Sequence, residues 1–198
     1  MRTRPGPAAA CPAKTSGAWV TEALVRPNAT EDGGPVEGVE LTDYYPGVIG
    51  QIIQLHAVYY AQHWGLDLSF EAQVGRELSE FLAEFQPQRD FFRAARDQGR
   101  LAGAVALDGG QEEGARLRWF IVDPAWQGQG LGRRLLGEAL AFGRAAGHRR
   151  IFLWTFAGLD AARRQYEAAG FRLAEEHPVE QWGRSIAEQK FVLELGPA

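Results

Sequence analysis

One cysteine, Cys11, stands in the 198-residue chain, so neither a disulfide framework nor a thiolate metal cluster can be assembled from it. That scarcity fits a reducing cytoplasm. Lysine is nearly as rare, with Lys14 and Lys190 alone, and arginine carries almost all of the positive charge. The pattern reads as a coding bias and says little about function. No apolar run is long enough for a signal-peptide core or a membrane span, which predicts a soluble protein with no membrane partner. A formal charge of −4 leaves no electrostatic surplus for a phosphate backbone, so nucleic acid is not expected as a primary partner. Four histidines, His56, His63, His148 and His177, have no i, i+4 pairing, and no metal site is predicted.

A hydrophobic content of 45% over this length supports one well-packed α/β domain rather than two. Residues 1–35 are rich in Pro, Gly, Ala and Thr with few large apolar groups, and read as a flexible leader. The domain is expected over 36–198, beginning with a short strand around Val36, Val39 and Leu41. Ile49, Ile52, Ile53, Leu55, His56, Tyr59 and Tyr60 recur at helical spacing and predict a helix over 47–62. A second helix follows through Phe70, Val74, Leu78, Phe81, Leu82 and Phe85, with Ser69 as N-cap and Pro87 beyond its end. Strands are predicted over 90–96 and 101–107, joined by a turn at 97–100, and a third over 117–122. Next come a helix over 128–146, a strand over 151–155 and a helix over 160–169 closed by Gly170. Strands over 171–177 and 188–195 complete the order.

The chemistry is concentrated between Phe120 and Leu136. A buried strand ends at Asp123-Pro124, and Gly128, Gly130 and Gly132 then open a helix whose apolar stripe is Leu131, Leu135, Leu136, Ala139 and Phe142. Glycines let a backbone approach a ligand closely, and the first-turn N–H groups with the helix dipole favour an anion such as a pyrophosphate. The dinucleotide fingerprint fails, because Arg133 stands where its last glycine is required, and a P-loop fails because the chain has no Gly-Lys pair. What remains is Gln127-x-x-Gly130-x-Gly132.

This signature, after a strand ending Val-Asp-Pro and inside this order of elements, resembles the GNAT acetyltransferases, and the resemblance runs from about Val36 to Leu195. Four stretches, 118–136, 151–155, 160–171 and 175–195, are similar to the acetyltransferase half of bacterial proteins that fuse a MarR-type DNA-binding domain to a GNAT domain. The resemblance implies an α/β fold of about seven strands in a mixed, twisted sheet with helices on both faces, splayed near Val122 and Trp154. It implies acetyl-CoA as cofactor, held by the backbone of Phe120, Ile121 and Val122 and by Gln127, Gly128, Gln129, Gly130, Leu131, Gly132 and Arg133. A second family landmark, N-x-x-A-x-x-L-Y before G-F, is matched at Ala162, Tyr166, Gly170 and Phe171. It departs at Leu159 and Gln165, and the asparagine missing at 159 is one that often contacts the cofactor in the family. Tyr166 inherits the role of acid toward the departing CoA thiolate, against the alternative of a core aromatic on the face it shares with Leu159, Ala162 and Ala169.

Trp64, Asp67 and Trp182 sit in segments of irregular composition that the resemblance places beside the acceptor, and are expected either to contact substrate or to anchor packing. Glu112-Glu113 and Glu175-Glu176 read as solvated charge. The resulting expectation is an acetyl-CoA-dependent N-acetyltransferase acting on a small-molecule or peptide amine by direct attack, with a homodimer left open. Its rival is a noncatalytic acyl-CoA-binding sensor or interaction module.

Overall fold

The computed structural model describes residues 38–196; the proposed leader, Val36 and the last two residues lie outside that range. Strand β1 (Glu40–Thr42) leads into helix α1 (Val48–Trp64) and helix α2 (Leu68–Ala83). Then come strands β2 (Phe91–Asp97), β3 (Arg100–Asp108) and β4 (Ala115–Val122), a 3₁₀ turn at Pro124–Trp126 and helix α3 (Leu131–Ala145). Strand β5 (Arg150–Phe156), helix α4 (Asp160–Ala168) and strands β6 (Arg172–Gln181) and β7 (Arg184–Glu194) close the domain. The seven strands form one sheet in the order β1-β2-β3-β4-β5-β7-β6. Among the described residues only β4 and β5 run parallel, so the sheet is mixed.

Side-chain alternation along the strands assigns the helices to faces. Trp119 meets Phe81 of α2 and Phe156 meets Tyr60 of α1, which puts α1 and α2 on one face. On the other, an added Cβ at Gly103 would meet Leu135 of α3, and Phe120 and Phe191 flank Tyr166 of α4. Burial follows: Val48, Ile52, Phe70, Val74, Leu78, Leu117, Leu131, Leu135, Ile151 and Phe191 are each no more than 1% exposed. At about 1.5–3 kcal/mol for each fully buried large apolar side chain, this two-sided core holds the sheet between its helix layers.

Several boundaries move for local reasons. Asp67, not Ser69, caps α2, its carboxylate accepting the Ser69 N–H at 2.9 Å, so the helix starts at Leu68. Helix α3 starts at Leu131 rather than 128, because Gly128 and Gly130 hold φ of 74° and 85°, outside any helix. Both tight hairpins have two-residue turns with positive φ at each position, Gln98-Gly99 and Trp182-Gly183. The second turn lets β6 run on through Pro178 to Gln181, a stretch whose end had read as irregular. Proline is tolerated there because β6 is the outer strand.

Candidate active site

Strands β4 and β5 pair through Ala115–Ile151 and Arg116–Phe152 and no further, while β5 stays registered with β7 as far as Phe156. The strands therefore part earlier than the expected point near Val122 and Trp154. Backbone N–H and C=O groups along the inner edges of the gap face whatever fills it instead of a neighbouring strand. A bulge sharpens the opening: two steps along β3, Ala104 to Ala106, match three along β4, Ile121 to Arg118. Trp119 takes up the extra residue at φ 45°, a left-handed conformation worth about 1–3 kcal/mol of strain for a bulky side chain. Phe81 and the Arg118 guanidinium, 4.1 Å from the indole centroid, hold it there. Bulges re-aim side chains beside sites. Here Arg118 and Trp119 both reach α2, while Phe120 turns to α4.

Past β4 the chain enters the glycine loop. Asp123 accepts the Ala125 N–H at 2.9 Å and starts the 3₁₀ turn. The Gln127 side chain donates to the Val122 carbonyl at 2.9 Å and the Gln129 side chain to the Ala125 carbonyl at 3.0 Å. Both glutamine side chains thus brace the loop from within. Gly130 is the N-cap of α3 and supplies no side-chain acceptor to the first turn. A Cβ there would touch nothing within 4 Å, so glycine is required by its φ and not by crowding. Leu131 and Gly132 are buried beneath the turn, and Arg133 is exposed on it. An uncapped 15-residue helix whose N-terminus follows directly from the strand bordering the gap has the donor set for a pyrophosphate, and the open strand edges suit the amide-bearing arm attached to one. Acetyl-CoA fits these residues.

Tyr166 lies on the same side of the sheet. It is 0% exposed, with Phe120, Phe171 and Phe191 at ring centroid distances of 6.0–6.3 Å. Leu159, where the family pattern has asparagine, is the N-cap position of α4 and provides no side-chain cap.

Charged side chains crowd the opposite face. Arg118 is held by Glu77 of α2 and, at 3.1 Å, by Asp108 of β3. Burial drives the Arg116 guanidinium down to about 9 and lowers Arg118 as well, with the two cations repelling each other at Arg116. Burial also raises Glu77, against the pull of Arg118. Lys190 of β7 binds Glu113 from the β3–β4 loop and Glu175 of β6, and lies over the Phe152 and Trp154 rings. Glu113 and Glu175 therefore depart from the reading as free solvated charge, because a buried lysine collects them. Glu176 likewise accepts from the Gln189 side chain. His177 Nε2 stands 3.2 Å from a Glu188 carboxylate oxygen. No sequence signal marked Glu77, Asp108, Arg116 or Glu188, since their company is assembled from four separate strands and a helix.

Of the three expected acceptor residues, two meet: the Asp67 N–H donates to the Trp182 carbonyl at 3.1 Å. Trp64 is half-buried against Phe156 at the end of β5. Asp67 is spent on capping α2. Trp182 is 3% exposed, packs on Phe70 and donates its indole N–H to Gln73 at 2.8 Å.

The acetyltransferase (GNAT) family model matches residues 49–171, which takes in α1 through α4. The chain belongs to this family. A mycothiol acetyltransferase from Nocardiopsis dassonvillei is 31% identical over 169 residues, 72% of this chain and 50% of that protein, so the chain spans half the length of this relative. Among solved structures, an acetyltransferase from Streptococcus agalactiae superimposes with a TM-score of 0.64 at 24% identity, covering 80% of this chain and 99% of that one. A Salmonella typhimurium structure with its cofactor acetyl-CoA gives 0.63 at 17% identity, covering 80% and 95%. At these identities the structural likeness establishes the GNAT fold.

Proposed function

We propose that this family member transfers an acetyl group from acetyl-CoA to a primary amine. The observation that carries the reading is the parallel β4–β5 pair that opens beyond Arg116 and Phe152 and delivers the chain straight into the uncapped glycine turn of α3. Bound there, acetyl-CoA would supply an acetyl group already activated as a thioester. The N–H groups of the α3 turn would hold its pyrophosphate, with Arg133 adding charge from the rim. The backbone of Phe120, Ile121 and Val122 would orient the arm, and an N–H of that segment would stabilise negative charge on the reacting oxygen. Tyr166 would give its phenolic proton to the leaving sulfur. Departure of a thiolate at neutral pH benefits from a positioned proton donor, and a phenol is one. The location is taken as cytoplasmic.

The test is thiol release from acetyl-CoA across amino acids, polyamines, aminoglycosides and peptide N-termini, with Tyr166→Phe alongside wild type. The substitution removes one hydroxyl from a packed ring. Turnover is expected to fall at least tenfold, about 1.4 kcal/mol of barrier, while acetyl-CoA still raises the melting temperature as in wild type. Equal turnover would return Tyr166 to the core. A protein stabilised by acetyl-CoA that acetylates no amine in the panel would be a sensor.

A further inference from the structure

We propose that Glu188, positioned by His177, receives the proton of the acceptor ammonium, and that the acceptor enters as an alkylammonium ion on the α1/α2 face. This deepens the acetyltransferase reading and rests on it.

Register gives the position. Strands β4 and β5 run parallel from the Arg116–Phe152 pair, so four residues on, Phe156 of β5 is level with Phe120, or with Ile121 once the bulge residue is counted. Glu188 is the registered partner of Phe156 on β7. It therefore lies one strand behind the gap, level with the Phe120–Ile121 segment assigned to the reacting carbonyl, about 13 Å along β5 from the last β4–β5 pair. Facing follows too, because directly paired residues share a face and Phe156 packs on Tyr60 and Trp64 of α1. Phe120 turns to α4 and Glu188 to α1, so proton acceptor and cofactor approach the gap from opposite sides.

Elimination gives the identity. Glu77 and Asp108 hold Arg118, and Glu113 and Glu175 hold Lys190. A carboxylate bound to a permanent cation is a weak base. Glu188 is instead paired with an imidazole, Nε2 donating to the carboxylate at 3.2 Å, and its side chain is 8% exposed. Burial raises its affinity for a proton, partly offset by His177 and by Arg116 from β4, and reinforced by Glu175 from β6. His177 is itself 46% exposed and edge-on to Trp154, so a proton taken up by Glu188 has a short route past the ring to solvent.

The step balances. The ammonium gives one proton to Glu188, which passes it to solvent, and the neutral nitrogen forms the new C–N bond as the C–S bond breaks. The second nitrogen proton replaces the one Tyr166 gives to sulfur. Products are the amide, CoA thiol and one released proton.

The test uses the whole chain with n-butylamine as probe, comparing wild type, Glu188→Gln and Glu188→Asp. Wild type is expected to show an acidic limb in kcat/KM. In Glu188→Gln, kcat at pH 7 is expected to fall by about 10²–10⁴ with KM changed far less, and the rate is expected to climb with pH as free amine accumulates. Glu188→Asp restores part of the rate and shifts the limb. His177→Gln moves the limb without abolishing it, which a purely structural residue would not do. Independently of turnover, n-butylammonium is expected to shift the His177 ring resonances in the CoA complex of wild type and not of Glu188→Gln. A Glu188→Gln enzyme with the wild-type pH profile overturns the proposal, as does a wild-type His177 signal that ignores the amine. Loss of the acetyl-CoA thermal shift in wild type would instead sink the underlying reading, so the two failures are distinguishable.

Discussion

The two sides of the β4–β5 gap are built from different materials. On the α3/α4 side the loop presents backbone, because its side chains bond within it or are absent: Gln127 and Gln129 brace the loop and Gly130 offers no Cβ. On the α1/α2 side the surface consists of ionised side chains, Glu77, Asp108, Arg118, Glu113, Glu175 and Lys190, each fixed by another. Backbone recognition suits an invariant diphosphate, since any sequence that adopts the turn provides it. Side-chain recognition can be retuned residue by residue, which suits an acceptor that differs among enzymes. The contrast implies that conformational substitutions break the first side and electrostatic ones the second.

The largest effect is expected at the glycine turn. Gly130→Val places a β-branched residue at φ 85°, where no neighbour is within 4 Å but the backbone itself is strained. The turn should open and acetyl-CoA stabilisation, about 2.7 kcal/mol at a hundred times the dissociation constant, should disappear from a thermal melt. Gly137→Ala makes the matching control. It lies inside α3 with open space around it, and should stabilise the fold by about 0.5–1 kcal/mol while leaving binding intact. A Gly130→Val protein that still binds would show that side chains, not the turn, recognise the cofactor.

Next comes His56, on the α1/α2 side but inside the core. Its Nδ1–H donates to the Ile52 carbonyl at 2.9 Å, the ring is 0% exposed, and burial holds it neutral down to about 4. An unfolded histidine titrates near 6.5. Between those values the unfolded chain binds the extra proton, so stability is full above about 6.5 and is lost as pH falls toward 4, by about 3 kcal/mol in all. Denaturant melts from pH 7 to pH 4.5 should show this slope, and His56→Leu should flatten it. An unchanged slope would assign the acid sensitivity to the ion pairs.

The same division explains what could be read from the sequence. The turn from Gln127 to Gly132 is a local pattern, so its place after a strand and before a helix followed from residue order. The starting point of α3 did not, because helical periodicity runs back through Gly128 and only φ shows that those residues are outside the helix. Asp67 and Ser69 both have capping side chains, and two residues decide between them. The charged face was illegible for a deeper reason: Arg118 is 41 residues from Glu77, and Lys190 is 77 from Glu113, so no window of sequence contains either pair. A glutamate that reads as loop charge becomes the partner of a buried lysine only when the sheet brings β7 beside it.

The smallest effect tests where the acceptor side ends. Trp182 belongs to the β6–β7 turn, which is tied to the α1–α2 connection by the Asp67 N–H to the Trp182 carbonyl at 3.1 Å and by the indole N–H to Gln73 at 2.8 Å. Trp182→Phe keeps an aromatic against Phe70 and removes the second bond. The expected cost is about 1 kcal/mol, or about 2–4 °C in Tm for a domain of this size. Gln73→Leu should cost a similar amount, and the double variant less than the sum, since the two residues share one interaction. If Trp182 only anchors this bridge, KM for an accepted amine stays within about twofold of wild type as Tm falls. If it touches substrate, KM rises in Trp182→Phe and not in Gln73→Leu, because both variants lose the same hydrogen bond and only one changes the ring. Comparing those two KM values therefore separates anchor from contact without relying on the size of either stability change.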